Sequence, residues 1–318
     1  MRVAPTRTTQ PTGFCDHGLT GNALWREHSL EYGLNCRGCE HITSPMSLIP
    51  KITDRPALLR NRARAKSAPA SFLHDEAIAE LQDRLTLVNR SFTDITIVTG
   101  HPDVWASAFP SARIIPDEET LALEPHSMDL VIHAMCLHWA NDPIGQIIQC
   151  RRSLRPDGLF LSVAFGGKTL TELRESLGAA EIAVNGGLSP RVAPMAEIRD
   201  MGALLQRGGL ALPVADSVPI NVAYRDIFHL MHDLRAMGEA NALLERHKTP
   251  LRRALFKQAQ SHYANTYKTE SDRIAATFEL VFLLGWAPSD TQQKPLRPGS
   301  ASHSLAAALG TTENPLKD

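Results

Sequence analysis

The sequence predicts an α/β fold built on a largely parallel sheet, and three stretches carry that expectation. Met128–Ala134 is a short apolar run with β-branched members, long enough for one strand covered on both faces and too short for an independent helix. Asp142-Pro143 then opens a helix, with Asp142 as N-cap and Pro143 at the first helical position. Ile144, Ile147, Ile148, Arg151 and Leu154 recur at helical period, which predicts an amphipathic crossover. Arg155-Pro156-Asp157-Gly158 turns the chain into a second apolar strand over residues 159–165. A strand, helix, strand unit of this length closes right-handed with its strands parallel. Gly166-Gly167 ends the second strand. Thr169 and Glu172 predict a capping box for the next helix, leaving backbone N–H groups free beside the glycines.

Before this block, residues 1–45 show neither helical nor strand periodicity and read as a disordered or spurious leader, with Met46 as the alternative initiator. Three of the five cysteines, Cys15, Cys36 and Cys39, lie there beside His17 and His41. Their types suit zinc, but their spacing fits no zinc pattern, so no metal is predicted. Residues 51–66 hold six basic residues against one acid. They read as a solvated first helix with Leu58 and Leu59 turned to the domain, or as a docking arm for an acidic partner. A helix follows over 75–89, with Ile78, Leu81, Leu85 and Val88 on one face, and then a first strand over 95–100.

Beyond the central block, a helix over 195–207 ends at Gly208-Gly209, and 210–214 and 218–222 read as two edge strands. A helix over 224–237 is stopped by Gly238, another runs from Thr249-Pro250 to about residue 263, and Ile274–Trp286 is a last strand. The expected division is a leader (1–45), a main domain (46–223), a helical appendage with the last strand (224–286) and a loose tail (287–318).

Asp117-Glu118 ahead of a strand, then DLV, LHW-x-ND, LRPDG and FGGKTL-x-EL, resemble the second half of a class I S-adenosylmethionine (SAM) methyltransferase domain. The resemblance implies a Rossmann-like sheet. Within that superfamily, the order FGG, LSP-x-VAP, DMGALL-x-RGG and LR-x-MGE-x-NAL is similar to the methyltransferase-like complex I assembly factors that hydroxylate an arginine. The malonyl-carrier-protein methyltransferases of biotin synthesis are their bacterial cousins. The likeness runs from about residue 49 to about residue 309.

The chain departs from the family after its first strand. Family members read D-x-G-x-G-x-G there, because glycines let the backbone approach the cofactor. This chain reads Val98-Thr99-Gly100-His101-Pro102-Asp103-Val104, which keeps Gly100 alone. Arg113-Ile114-Ile115 follows after about a dozen residues, so the sheet is expected to be shortened between strands one and three. By resemblance this strand is the third, with Asp117 and Glu118 beside the adenine; the alternative makes it the second, with Asp117 on the ribose. Gly100, Asp117 and Glu118 are thus the cofactor-binding residues that the resemblance implies. Losing two or three hydrogen bonds of roughly 1.5–3 kcal/mol each would move a micromolar cofactor towards millimolar. Weak SAM binding is the expectation.

His138 and Trp139 lie beyond a strand's carboxyl end, where parallel sheets present ligands. His138 is the candidate catalytic base, although a histidine there also serves to cap a turn. Trp139, Gly166, Gly167 and Thr169 are the candidate substrate contacts, the glycines through close backbone approach or simply by turning the chain. With 43% hydrophobic residues, a net charge of −1 and a pI near 6.9, nothing favours nucleic acid or an anionic membrane. No apolar run is long enough to span a bilayer, and a cytoplasmic location is expected. Three function classes stay open: methyl transfer from SAM, arginine hydroxylation without a recognisable two-histidine, one-carboxylate iron motif, and a non-catalytic assembly role. The implied partner is a protein, most directly a subunit of the respiratory NADH dehydrogenase that presents an arginine to Asp142 or Glu172.

Overall fold

The computed structural model describes residues 50–249, 252–293, 299–300 and 303–312. The expectations for residues 1–45 and Met46 therefore lie outside the described residues. Along the chain run α1 (Arg55–Ala65), α2 (Phe72–Leu87), β1 (Ile95–Thr99), α3 (Pro102–Ala108), β2 (Arg113–Ile115) and β3 (Met128–Ala134). They are followed by α4 (Pro143–Ser153), β4 (Leu154–Phe165), α5 (Thr171–Asn185), α6 (Ile198–Arg207) and β5 (Ala211–Tyr224). The last elements are α7 (Ile227–Ala236), α8 (Arg253–Thr266), β6 (Ile274–Trp286) and α9 (Leu305–Leu309).

The strands form one sheet in the order β2-β1-β3-β4-β6-β5. β2, β1, β3 and β4 are parallel, and β6 joins β4 and β5 antiparallel. Alternate residues feed two cores, because successive side chains leave opposite faces of a strand. Ile97, Ile132, Leu161 and Phe278 pack with α2, α5, α7 and α8, whereas Val98, Val131, Phe160 and Val281 pack with α4 and α6. Both faces being covered explains why β3 and β4 read as unbroken apolar runs rather than alternating ones.

The structure corrects several local expectations, among them the turn at 155–158, which lies inside β4, and the helix start at 224, which is the end of β5. β2 pairs directly with β1, Ile97 opposite Ile114, so it is the second strand of the sheet and Asp117 stands at that strand's carboxyl end. The short link through α3 can place a parallel strand only beside its predecessor. β5 is one strand of 14 residues rather than two. The unbroken β6 supplies partners along it from Ala211 to Tyr224, and the irregularity is confined to Ala211–Val214, where Leu212 has φ of 49°. α4 starts as expected, Asp142 accepting from the Gly145 N–H, but it buries Gln146, Ile147, Cys150 and Ser153 instead of the face through Ile144 and Ile148. On α1, Leu58 is buried and Leu59 is 56% exposed.

The capping box at α5 is absent. Leu170, left-handed at φ 57°, precedes the helix without a side-chain cap. The Thr169 hydroxyl accepts from the Glu279 N–H, and the Glu172 carboxylate accepts from the N–H and hydroxyl of Thr277. A neighbouring strand, which local sequence cannot show, outcompeted the local cap.

Candidate functional site

The carboxyl ends of β1, β3 and β4 open onto a cluster of buried polar groups. After β3 the chain makes one turn of 3-10 helix, Leu137–Trp139, which turns His138 and Trp139 towards a carboxylate from the far half of the sequence. That carboxylate is Glu239. The Trp139 indole N–H donates to its Oε2 at 2.6 Å, His138 Nε2 lies 3.3 Å from the same oxygen, and His101 Nε2 is 4.0 Å from Oε1. Glu239 reaches this place because Gly238, at φ 79°, ends α7 in the left-handed region. A side chain at residue 238 would also crowd the Arg62 Cα at 3.2 Å and the His101 ring at 3.3 Å.

Burial alone would raise the Glu239 carboxyl, but the hydrogen bond and charge of His138, with Arg62 and His101, hold it down at about 2. The rings of His74 and His101 lie 4.5 Å apart, tilted by 49°, and burial lowers both; His74 falls to about 3. The ring of His74 accepts from the Trp105 indole at 3.2 Å, as a neutral imidazole can. His138 Nδ1 is buried without a hydrogen-bond partner.

On the other side of the cluster, Asp117 is buried between two arginines of α1. Arg62 Nη1 is 2.9 Å from both carboxylate oxygens, and Arg55 donates to Oδ2 at 3.1 Å and to the Asp117 carbonyl at 2.7 Å. Burial raises the Asp117 carboxyl, and the two guanidinium groups outweigh it and leave it below the ordinary value. Arg62 lies flat against the backbone of Gly100: a Cβ there would sit 2.1 Å from Nη1. Gly100 and Asp117 are thus brought together, with Arg62 between them. Glu118 is exposed, and its carbonyl accepts from Gln146.

Next to Glu239 lies an apolar cavity of about 220 Å³ walled by Phe165, Leu173, Leu177, Met195, Met231 and Phe278. Trp139, Thr169 and Glu239 also line it. Gly166 and Gly167 do not. The Gly166 N–H donates to the Glu279 carbonyl, the Lys168 N–H to the Glu279 carboxylate, and Gly167 packs against the Glu197 carboxylate. The N–H groups of Gly166 and Lys168 are therefore bonded to β6. Asp142 and Glu172 are likewise engaged, by α4 and by Thr277.

Sequence reasoning missed Glu239, Arg62, His101 and His74. The signal for Glu239 was Gly238, since a residue straight after a left-handed helix stop is thrown back across the helix end. Arg62 stands among equally basic neighbours, and nothing local marks it.

A methyltransferase domain family matches residues 80–162. Over 197 residues the chain is 40% identical to the mitochondrial arginine-hydroxylase NDUFAF5 of Dictyostelium discoideum, a match covering 62% of this chain and 45% of that one. The human protein of the same name is 37% identical over 64% of this chain and 59% of its own length. The malonyl-[acyl-carrier protein] O-methyltransferase of Xylella fastidiosa is 31% identical, over 57% of this chain and 59% of that one. By these matches the chain is similar both to methyltransferases and to the arginine-hydroxylases of the NDUFAF5 kind.

These matches span roughly half to three fifths of the relatives' own length. The methyltransferase domain match implies SAM as cofactor; of the residues expected to hold it, Asp117 stands just past β2 and Gly100 just past β1. Arg62 occupies the space between them, bonded to Asp117 and against the backbone of Gly100. Among the described residues, no group of three or more histidine, cysteine, aspartate or glutamate side chains is arranged to hold a metal ion, and no helix is long and apolar enough to cross a membrane.

Proposed function

We propose that this protein acts on a protein client during maturation of the respiratory NADH dehydrogenase, as a SAM-dependent superfamily enzyme. One observation carries the reading. The LR-x-MGE-x-NAL stretch, residues 234–243, which resembles the assembly factors, is the one that delivers Glu239 to His138 and Trp139 and helps to wall the apolar cavity. A carboxylate on one ring nitrogen of a histidine, with the other nitrogen unbonded, is the arrangement of a base held in orientation by its partner. His138 is then the base that takes a proton from the client, and Glu239 positions it. Trp139 and Thr169 contact the client side chain that enters the cavity. Gly100, Asp117 and Glu118 mark the cofactor side, and Gly166 and Gly167 shape the turn beside the client.

The human and Dictyostelium relatives are named arginine-hydroxylase and the Xylella relative an O-methyltransferase, so hydroxylation of a client arginine stands beside methyl transfer as the reaction. The buried Arg62–Asp117 pair favours one further reading, an assembly factor that keeps the fold without chemistry. We place the protein in the cytoplasm, whereas its eukaryotic relatives are mitochondrial by name. Deleting the gene and measuring both assembled NADH dehydrogenase and the masses of its subunits tests the proposal. The expected result is reduced assembly with a methyl or hydroxyl group lost from one subunit. Reduced assembly with unchanged masses supports the non-catalytic reading, and normal assembly with unchanged masses overturns both.

A further inference from the structure

We propose that α1 is a gate on the cofactor cleft, with Arg62 as the bolt and residues 240–246 as the latch. The inference rests on reading the cleft between Gly100 and Asp117 as the SAM site. Arg62 is 5% exposed, yet its Nε and Nη2 have no hydrogen-bond partner. A buried guanidinium with two idle donors is unfavourable, so its pair with Asp117 is only part of what keeps it in place. The docking of α1 supplies the rest. The Asp54 N–H donates to the Ala242 carbonyl at 2.8 Å and the Leu244 N–H to the Ile52 carbonyl at 2.7 Å. Arg246 donates to the Asp54 carboxylate at 2.8 Å, and the Asn61 amide donates to the Ala240 carbonyl at 2.9 Å. At the start of α1, the Ile52 and Thr53 N–H groups share the Asn141 side chain, at 2.8 Å each.

The latch is also cavity wall. Glu239, Ala240 and Asn241 line the apolar cavity, so a client side chain that shifts this segment loosens the contacts that keep Arg62 over Gly100. Client and cofactor binding are therefore coupled, each favouring the open state, and the coupling is reciprocal. In the closed state Arg55 still pairs with Asp117, which leaves that carboxylate a partner when Arg62 withdraws.

The test is titration calorimetry of SAM, and of S-adenosylhomocysteine, into the full chain, Arg62→Ala and Arg246→Ala, each checked for cooperative unfolding. The unaltered chain should bind in the range of hundreds of micromolar or weaker. Arg62→Ala should bind about tenfold tighter or more, which corresponds to about 1.4 kcal/mol. Arg246→Ala, which keeps the bolt and removes a latch contact, should fall between, and it carries the test if Arg62→Ala does not fold. Equal or weaker binding by the variants than by the unaltered chain overturns the gate, because Arg62 is then a cofactor contact. Absence of binding in all three overturns the cleft as a cofactor site, and the gate with it.

Discussion

Buried charge sets the behaviour of individual residues at this site. His74 is held neutral, its value lowered from 6.5 to about 3, first by burial and then by neighbouring His101. Between those two values the unfolded chain binds a proton that the folded chain refuses, so stability falls as pH falls through that window. Urea midpoints measured at pH 7 and pH 5 should show the loss. His74→Gln, which keeps an acceptor for Trp105, should reduce it, His101 and His133 supplying the remainder, and an unchanged slope would contradict the assignment. Glu239 works lower on the scale. Its carboxyl, lowered from 4.5 to about 2, adds stability that is present above the unfolded value and is lost as pH falls towards 2. Asp117→Ala removes one partner from a buried pair and leaves Arg62 uncompensated, which costs about 3–5 kcal/mol. A loss below about 1 kcal/mol in denaturant titration would mean that Arg62 finds water when Asp117 is gone.

At the scale of elements, α1 decides more than its composition suggests. Leu58 and Leu59 are adjacent in sequence, yet Leu58 is buried and Leu59 exposed. Leu58→Ala should cost about 2–5 kcal/mol and Leu59→Ala at most about 0.5 kcal/mol in chemical unfolding. Equal effects would mean that α1 does not dock as described. Elements whose ends are set by local chemistry were legible: β3 and β6 run over the residues read from sequence, and α4 begins at Asp142-Pro143. Elements settled by a distant partner were not. β5 is continuous because β6 supplies a partner throughout, and Thr169 and Glu172 serve β6 rather than their own helix. The same reason hid part of the site. Trp139 and Thr169 were legible as residues at strand ends and do line the cavity, whereas Glu239 and Arg62 arrive from segments about 100 and 55 residues away from their partners.

At the scale of the whole molecule, four parallel strands carry the polar cluster at their carboxyl ends, and the antiparallel β6 and β5 extend the sheet on the side of the apolar cavity. The two functional halves meet at Glu239, which touches His138 and Trp139 from β3's end and lines the cavity. Activity in the cell should therefore fail when this contact alone is broken. The most direct measurement is complementation: the deleted gene is replaced by the unaltered gene, by Glu239→Gln or by His138→Asn, and assembled NADH dehydrogenase is quantified beside the level of folded protein. Full recovery with the unaltered gene, and recovery lowered at least about tenfold with either variant at equal protein level, is the predicted result. Full recovery with both variants would contradict a site built on Glu239 and His138.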